Sequence, residues 1–324
     1  MKLHFFGPGG RTWRFIKFVE QIIRQRKLEK KFNVGGNKYC DKHFYVIGIS
    51  QDDEGLFSIV NQVLRHIDYA LARNMIPVVN MRDFRSQFSK EGINVWEEFF
   101  EQPFNYGLDD INGANKVTFS YDSHKPPKTF SGDISSLSDE ELDRIKGIYK
   151  KYIRLNKYME KYISDNISAE FKICGDEKIG CICRGTDYFT LVGLPKQPSA
   201  EMMIEKVREY MNKYNVKKVY CATEDKRIYR KFQDEFGNKL IPNFQYMYDK
   251  NDGKLLTEVN RERNLDIYKI NREYFLSLWQ VSKCDYFIGG LVSGTNAVIL
   301  MDNNFKETFI FKLGAVSKED LLEH

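Results

Sequence analysis

Four consecutive residues, Arg184, Gly185, Thr186 and Asp187, combine a permanent cation, a residue without a side chain, a hydroxyl and a carboxylate. They follow directly on the apolar run KIGCIC at 178–183, which reads as a parallel strand buried on both faces. Ligands of open α/β sheets bind at the carboxyl ends of the strands, so Arg184 is expected to meet an anion there. A guanidinium holds phosphate in a bidentate fork, which makes phosphate the natural partner. A strand-end ion pair between Arg184 and Asp187 is the purely structural alternative. Two further strand ends carry polar groups. Thr223, Glu224 and Asp225 follow the run KVYCA at 218–222, and GGLVSGTN at 289–296 follows a strand at 285–288. There Ser293, Gly294 and Thr295 open a helix whose free amides and dipole attract negative charge. An arginine from one strand end and a small-residue helix start from another could clamp a diphosphate between them.

These residues need an α/β frame, and the hydrophobic rhythm supplies one. In the first half, a strand at 2–6 leads through Gly7-Pro8-Gly9-Gly10 into a helix at about 12–31. That arrangement reads as a turn, or as an anion cradle with Arg11 and Arg14 nearby. A strand at 44–49, an acidic loop at 50–55, a helix at 58–73 and a strand at 76–81 make a βαβ unit. Asp52, Asp53 or Glu54 in that loop face a cleft or solvent. Regularity weakens between 82 and 127, where Trp96, Phe99, Phe100, Phe104 and Tyr106 surround a short helix near 95–101. They form a sugar-stacking wall or, more simply, a core beneath a long loop. Ser138 and Glu141 make a capping box for one long amphipathic helix to about 165. In the second half, helices are expected at 199–214, to about 236, at 271–281 and to 301. A strand at 308–311 and a short helix close the chain.

The 324 residues suit two domains, divided here into 1–165 and 166–324. With 42% hydrophobic residues and a net charge of +5, the chain reads as an ordinary globular protein, and the charge is too mild to indicate nucleic acid. No apolar run is long enough to span a membrane and no export signal is expected, so the chain reads as cytoplasmic, with peripheral docking at the inner membrane face left open. Six cysteines without a CxxC pair fit a reducing compartment and no zinc site.

Three segments resemble one family. IGCICRGTD at 179–187 resembles the strand-plus-arginine motif of the α-1,6-fucosyltransferases, nodulation fucosyltransferases and protein O-fucosyltransferases. VYCATED at 219–225 and LSLWQVSKCDYFIGGLVS at 276–293 are similar to their next two motifs, and NVWEEFFEQPF at 94–104 looks like bacterial relatives that accompany surface-glycan synthesis. The resemblance implies a GT-B architecture, with two Rossmann-like domains facing across a cleft, and an inverting, metal-independent transfer. The donor would be a nucleoside-diphosphate sugar with no other cofactor, and the acceptor a glycan or lipid-linked glycan. By position Arg184 and Ser293, with Thr186, Gly294 and Thr295, would hold the diphosphate. Asp187 would support the arginine loop, while Glu224, Asp225 and Ser277 would lie near the nucleotide. The motifs also depart from the family. The histidine two residues before the arginine is Ile182, an aspartate of the third motif is Ser277, and a second basic residue gives way to Gly185 and Tyr188. GDP-fucose is therefore one donor among several.

Displacement at the sugar's anomeric carbon builds charge on the leaving diphosphate, which fixed donors stabilise. Asp187, Glu54 and Glu224 are the candidates for the base that takes the acceptor's proton. A Rossmann oxidoreductase would want G-x-G-x-x-G after the first strand, which GPGGRTW does not supply. A non-catalytic glycan- or nucleotide-binding protein remains the other alternative.

Overall fold

The computed structural model describes residues 29–32, 38–49, 54–83, 86–120, 127–173, 175–189, 192–249, 253–301 and 304–317. The expected strand at 2–6, its glycine turn, Asp52, Asp53 and most of the helix at 12–31 lie outside them. The end of that helix is corrected: Glu29–Phe32 is a strand, β1, because it pairs antiparallel with a neighbour that local sequence cannot reveal. The first half continues with β2 (Tyr39–Gly48), α1 (Leu56–Leu71), β3 (Ile76–Asn80) and β4 (Ala114–Ser120). Its sheet runs β1-β4-β2-β3, with β2 parallel to both β3 and β4. The βαβ unit is present as expected. The stretch 82–127 is less irregular than its pattern suggests, since β4 lies within it.

The expected long helix is two, α2 (Asp139–Tyr152) and α3 (Lys157–Asn166). Ser138 caps the first by accepting from the Glu141 amide at 3.3 Å, and Asn156 caps the second through Met159 at 2.8 Å. Between them the chain is drawn out to the 95–105 segment. The Arg154 carbonyl accepts from the Glu101 amide at 2.9 Å, while its guanidinium reaches the Gln102 and Pro103 carbonyls. Those tertiary bonds outcompete helix continuation. Trp96, Phe99 and Phe100 are each 1% exposed, and the Trp96 and Phe100 rings stack at 4.5 Å. They are core rather than a sugar-stacking wall.

The second half holds α4 (Ala169–Ile173), β5 (Lys178–Ile182), α5 (Ala200–Tyr214), β6 (Lys218–Ala222), α6 (Lys226–Phe236), β7 (Leu240–Ile241), α7 (Leu256–Glu262), α8 (Ile267–Val281), β8 (Tyr286–Gly290), α9 (Ser293–Met301) and β9 (Glu307–Phe311). α7 was not expected, and α8 begins four residues before the expected 271, at the Asp266 cap. Residues 312–317 are not helical, and the remainder of the expected closing helix lies outside the described residues. All five strands are parallel, in the order β7-β6-β5-β8-β9. β5 is central and fully buried, which explains the apolar residues that follow Lys178 in it. From β5 the chain winds outward through β6 and β7, then returns to β8 and winds the other way. The strand order therefore reverses between β5 and β8. Such a switch point leaves a crevice outside the carboxyl ends.

One apolar core joins the halves. Phe57 of α1 stacks on Phe275 of α8 with centroids 5.3 Å apart and meets Tyr274 edge-on at 5.4 Å. On the other face of the second sheet, Cys181, Cys183 and Cys221 pack as small hydrophobes in a separate cluster.

Candidate functional site

The chain leaves β5 at Cys183, whose amide still bonds the Ala222 carbonyl of β6 at 3.1 Å. Arg184 then turns into the crevice with its side chain 13% exposed. Its Nη2 lies 3.3 Å from Asp187 Oδ1, its Nη1 lies 3.4 Å from Glu224 Oε2, and the guanidinium sits 4.9 Å above the Tyr188 ring. Arg184 Nε is buried without a hydrogen-bond partner among the described residues. Glu224 Oε1 accepts from the Gly185 amide and the Thr186 hydroxyl, each at 2.9 Å. Those bonds hold Thr186 at φ +48°, a left-handed conformation that a β-branched residue rarely adopts. Asp187 also takes the Leu256 amide at 3.5 Å. The purely structural ion pair and the strand-end cation thus coexist.

Gly185 is glycine for want of space. A Cβ there would stand 2.6 Å from Asp225 Oδ2 and 2.9 Å from Ile228 Cδ1. A second basic residue beside Arg184 is sterically barred in this chain. Gly185→Ala is expected to destabilise the protein by about 1–3 kcal/mol through overpacking. It should weaken anion binding too, because the loop that must shift carries Arg184. Thermal denaturation and nucleotide titration of the variant check both effects.

Burial works against the charge on Arg184, but Glu224 and Asp187 hold its pKa above the ordinary arginine value. Burial also pushes the Glu224 carboxyl above the ordinary glutamate value, against the pull of Arg184. Tyr274, half-buried beside the guanidinium, is raised to about 12 and stays a neutral donor.

Around this centre opens a cleft of about 650 Å³. Arg184, Asp187 and Glu224 line it from the ends of β5 and β6, and Ser293 and Gly294 from the start of α9. Glu54 enters from the other half, with the α1 start at Gly55–Ser58, where Gly55 offers no side-chain cap. Among the described lining residues Arg184 is the only arginine or lysine. The other sequence-selected residues lie elsewhere. The Thr295 hydroxyl is spent on the Gly290 carbonyl at 2.6 Å, with the residue 1% exposed. Thr186 is buried under Glu224, and Asp225 caps α6 while pairing with Arg227 Nη2 at 2.6 Å. Ser277 faces β6, where its oxygen accepts from the Tyr220 hydroxyl at 3.2 Å and from Asn243 Nδ2 at 3.1 Å. None of these four lines the cleft.

The sequence reading missed the cleft's further wall. Leu256, Thr257 and Asn260 line it from α7, and Ile267, Ile270, Asn271 and Tyr274 from α8. The second set recurs at 0, 3, 4 and 7, so one helical stripe faces the opening. An asparagine inside an otherwise apolar stripe was the available signal. α9 is strapped to the first half, since Asn296 Nδ2 donates to the Gly132 carbonyl at 2.8 Å and its Oδ1 accepts from the Ile134 amide at 3.3 Å. Among the described residues no cluster of three or more histidine, cysteine or acidic side chains is arranged to hold a metal, and no helix is long and apolar enough to cross a membrane.

Neither a family model nor a curated protein matches the chain. Solved structures do. One is the NodZ alpha-1,6-fucosyltransferase soaked with GDP-fucose, 14% identical, covering 81% of this chain and 93% of that one with a TM-score of 0.44. Another is POFUT1 in complex with GDP, 12% identical, covering 85% and 100% with a TM-score of 0.46. A third is an Arabidopsis thaliana FUT1 mutant in complex with GDP, 11% identical, covering 95% and 76% with a TM-score of 0.48. The first bears the name of a group whose motifs the sequence resembles.

Proposed function

We propose that this chain is a glycosyltransferase of the fucosyltransferase type, moving a sugar from a nucleoside-diphosphate donor to a glycan or lipid-linked glycan in surface-polysaccharide synthesis. The carrying observation is that Arg184, after β5, and Ser293 and Gly294, after β8, share one cleft where the strand order reverses. We take the architecture as GT-B, with an acceptor-side half at 1–165 and a donor-side half at 166–324.

In this mechanism the diphosphate binds between the Arg184 guanidinium and the amides at the α9 start. Charge that grows on the leaving oxygen as the anomeric bond breaks is met by donors already in place, with Arg184 supplying the fixed cation. An acceptor hydroxyl attacks from the opposite face, which inverts the anomeric centre, and gives up its proton to a base. Glu54 suits that role best. Asp187 and Glu224 each accept hydrogen bonds from the Arg184 loop. Among the described residues no such bond engages the Glu54 carboxylate, and it enters from the acceptor-side half.

A thermal-shift panel of GDP, UDP, CMP, ADP and NAD on the intact protein tests the reading. Stabilisation by a nucleoside diphosphate is the expected result. Stabilisation by NAD alone would point to an oxidoreductase, and none by any member of the panel to a protein that does not use nucleotides.

A further inference from the structure

The α8 stripe ends in a tyrosine whose hydroxyl goes beyond what packing requires. The Tyr274 ring meets Phe57 edge-on at 5.4 Å, a contact that phenylalanine would make as well. Its hydroxyl lies between the two parts of the proposed diphosphate site. On one side it rests against the start of α9. A Cβ on Gly294 would stand 2.6 Å from Tyr274 Oη, so a side chain there would displace the hydroxyl. On the other side it lies within hydrogen-bonding reach of the Arg184 guanidinium. Tyr274, Arg184, Ser293 and Gly294 all line the same cleft.

Chemistry fixes the direction of the Arg184 contact. A guanidinium has donors only, so Arg184 gives the hydrogen and the phenol oxygen accepts it. The phenol's own proton is left for another partner. Glu224, the acid beside it, is not that partner. Its Oε1 accepts from Gly185 and Thr186, and its Oε2 makes no hydrogen bond among the described residues. Desolvation holds the phenol's pKa at about 12, so the proton is shared in a hydrogen bond and not given up. A neutral donor placed between a cation and a helix start complements an anion that spans them.

Resting on the nucleotide-sugar reading above, we propose that the Tyr274 hydroxyl is a further donor to the diphosphate, set between Arg184 and the α9 amides. Accepting from Arg184 polarises the phenol and makes it a better donor. Its bond to the diphosphate strengthens as charge grows there, which favours the transition state over the bound donor. No proton changes hands.

Calorimetric titration of the intact protein with inorganic pyrophosphate tests this. Tyr274→Phe keeps the ring against Phe57, so the free variant should melt as the parent does and bind pyrophosphate about tenfold more weakly. Incorporation of 3,5-difluorotyrosine at position 274 supplies the sign. Fluorine makes the hydroxyl a stronger donor and its oxygen a poorer acceptor. At mildly acidic pH, where the fluorinated phenol stays neutral, this protein should bind pyrophosphate more tightly than the parent. A hydroxyl that serves only to accept from Arg184 would weaken binding instead. Fluorination leaves the packing nearly unchanged, so this measurement decides even where the phenylalanine variant melts early. A folded Tyr274→Phe protein that binds pyrophosphate as tightly as the parent, or a fluorinated protein that binds it no more tightly, overturns the role of Tyr274 alone. Failure of the parent to bind pyrophosphate or any nucleoside diphosphate overturns the donor reading and this role with it.

Discussion

Replacing Arg184 with alanine is expected to slow sugar transfer by about 10²–10³-fold, the usual consequence of deleting one fixed donor to a developing charge. The same change should abolish thermal stabilisation by nucleoside diphosphates. The fold faces a separate penalty, because Asp187 and Glu224 lose the guanidinium that compensates them. Glu224 moderates that penalty by taking up a proton, since burial already pushes its carboxyl upward. The free variant should therefore recover stability at mildly acidic pH, while its transfer rate does not recover. Arg184→Lys keeps the charge but not the planar fork, so it should restore much of the Tm and little of the rate. Single-turnover kinetics beside thermal melts at two pH values separate the two effects. A variant that retains both nucleotide stabilisation and rate would remove Arg184 from the chemistry.

Nucleotide binding is expected to weaken as pH rises, by up to about tenfold per pH unit, with Glu224 as the responsible group. In the free protein Glu224 sits above the ordinary glutamate value of 4.5 because burial disfavours its charge, with Arg184 opposing. Its raised pKa stabilises the fold most below that ordinary value, and the contribution is lost as pH rises through the folded pKa. A diphosphate that engages Arg184 withdraws this compensation, so the carboxyl moves higher still and binds up to one proton. The groups that face it include Arg184, Asp187, Tyr188, Tyr248 and Tyr274, and the neutral hydroxyls of the three tyrosines bring no compensating charge. Titration in buffers of different ionisation enthalpy counts the protons. Glu224→Gln can still accept from Gly185 and Thr186, and it should bind diphosphate more tightly with a flattened pH profile. An unchanged slope in that variant would exclude Glu224 as the linked group.

The strand ends were the legible part of the site. Parallel strands buried on both faces announce themselves as apolar runs, and whatever follows them must lie at one edge; Arg184, Glu224 and Ser293 were found that way. Side-chain direction within those segments was not legible. Thr295 and Ser277 share stretches with cleft residues yet turn toward the core, because one residue along a helix rotates the side chain by about 100°. The α7–α8 wall escaped notice because its members become neighbours only through the crossover that follows β7. β4 escaped for a related reason. Its ANKVTFS pattern gains strand character from pairing with β2 and β1, both distant in the chain. The break between α2 and α3 came from Arg154 and Asn156, whose partners lie some fifty residues earlier.

The Phe57–Phe275 stack and the Asn296 strap have a consequence for how such a protein can be re-engineered. They make the two halves share a single interior instead of abutting as separable modules. A chimaera that transplanted residues 166–324 onto a foreign partner would expose Phe275, Leu278 and Val298 unless the host rebuilt the same aromatic and amide contacts. Altering what this chain recognises is therefore a matter of side chains around the opening, not of exchanging whole halves.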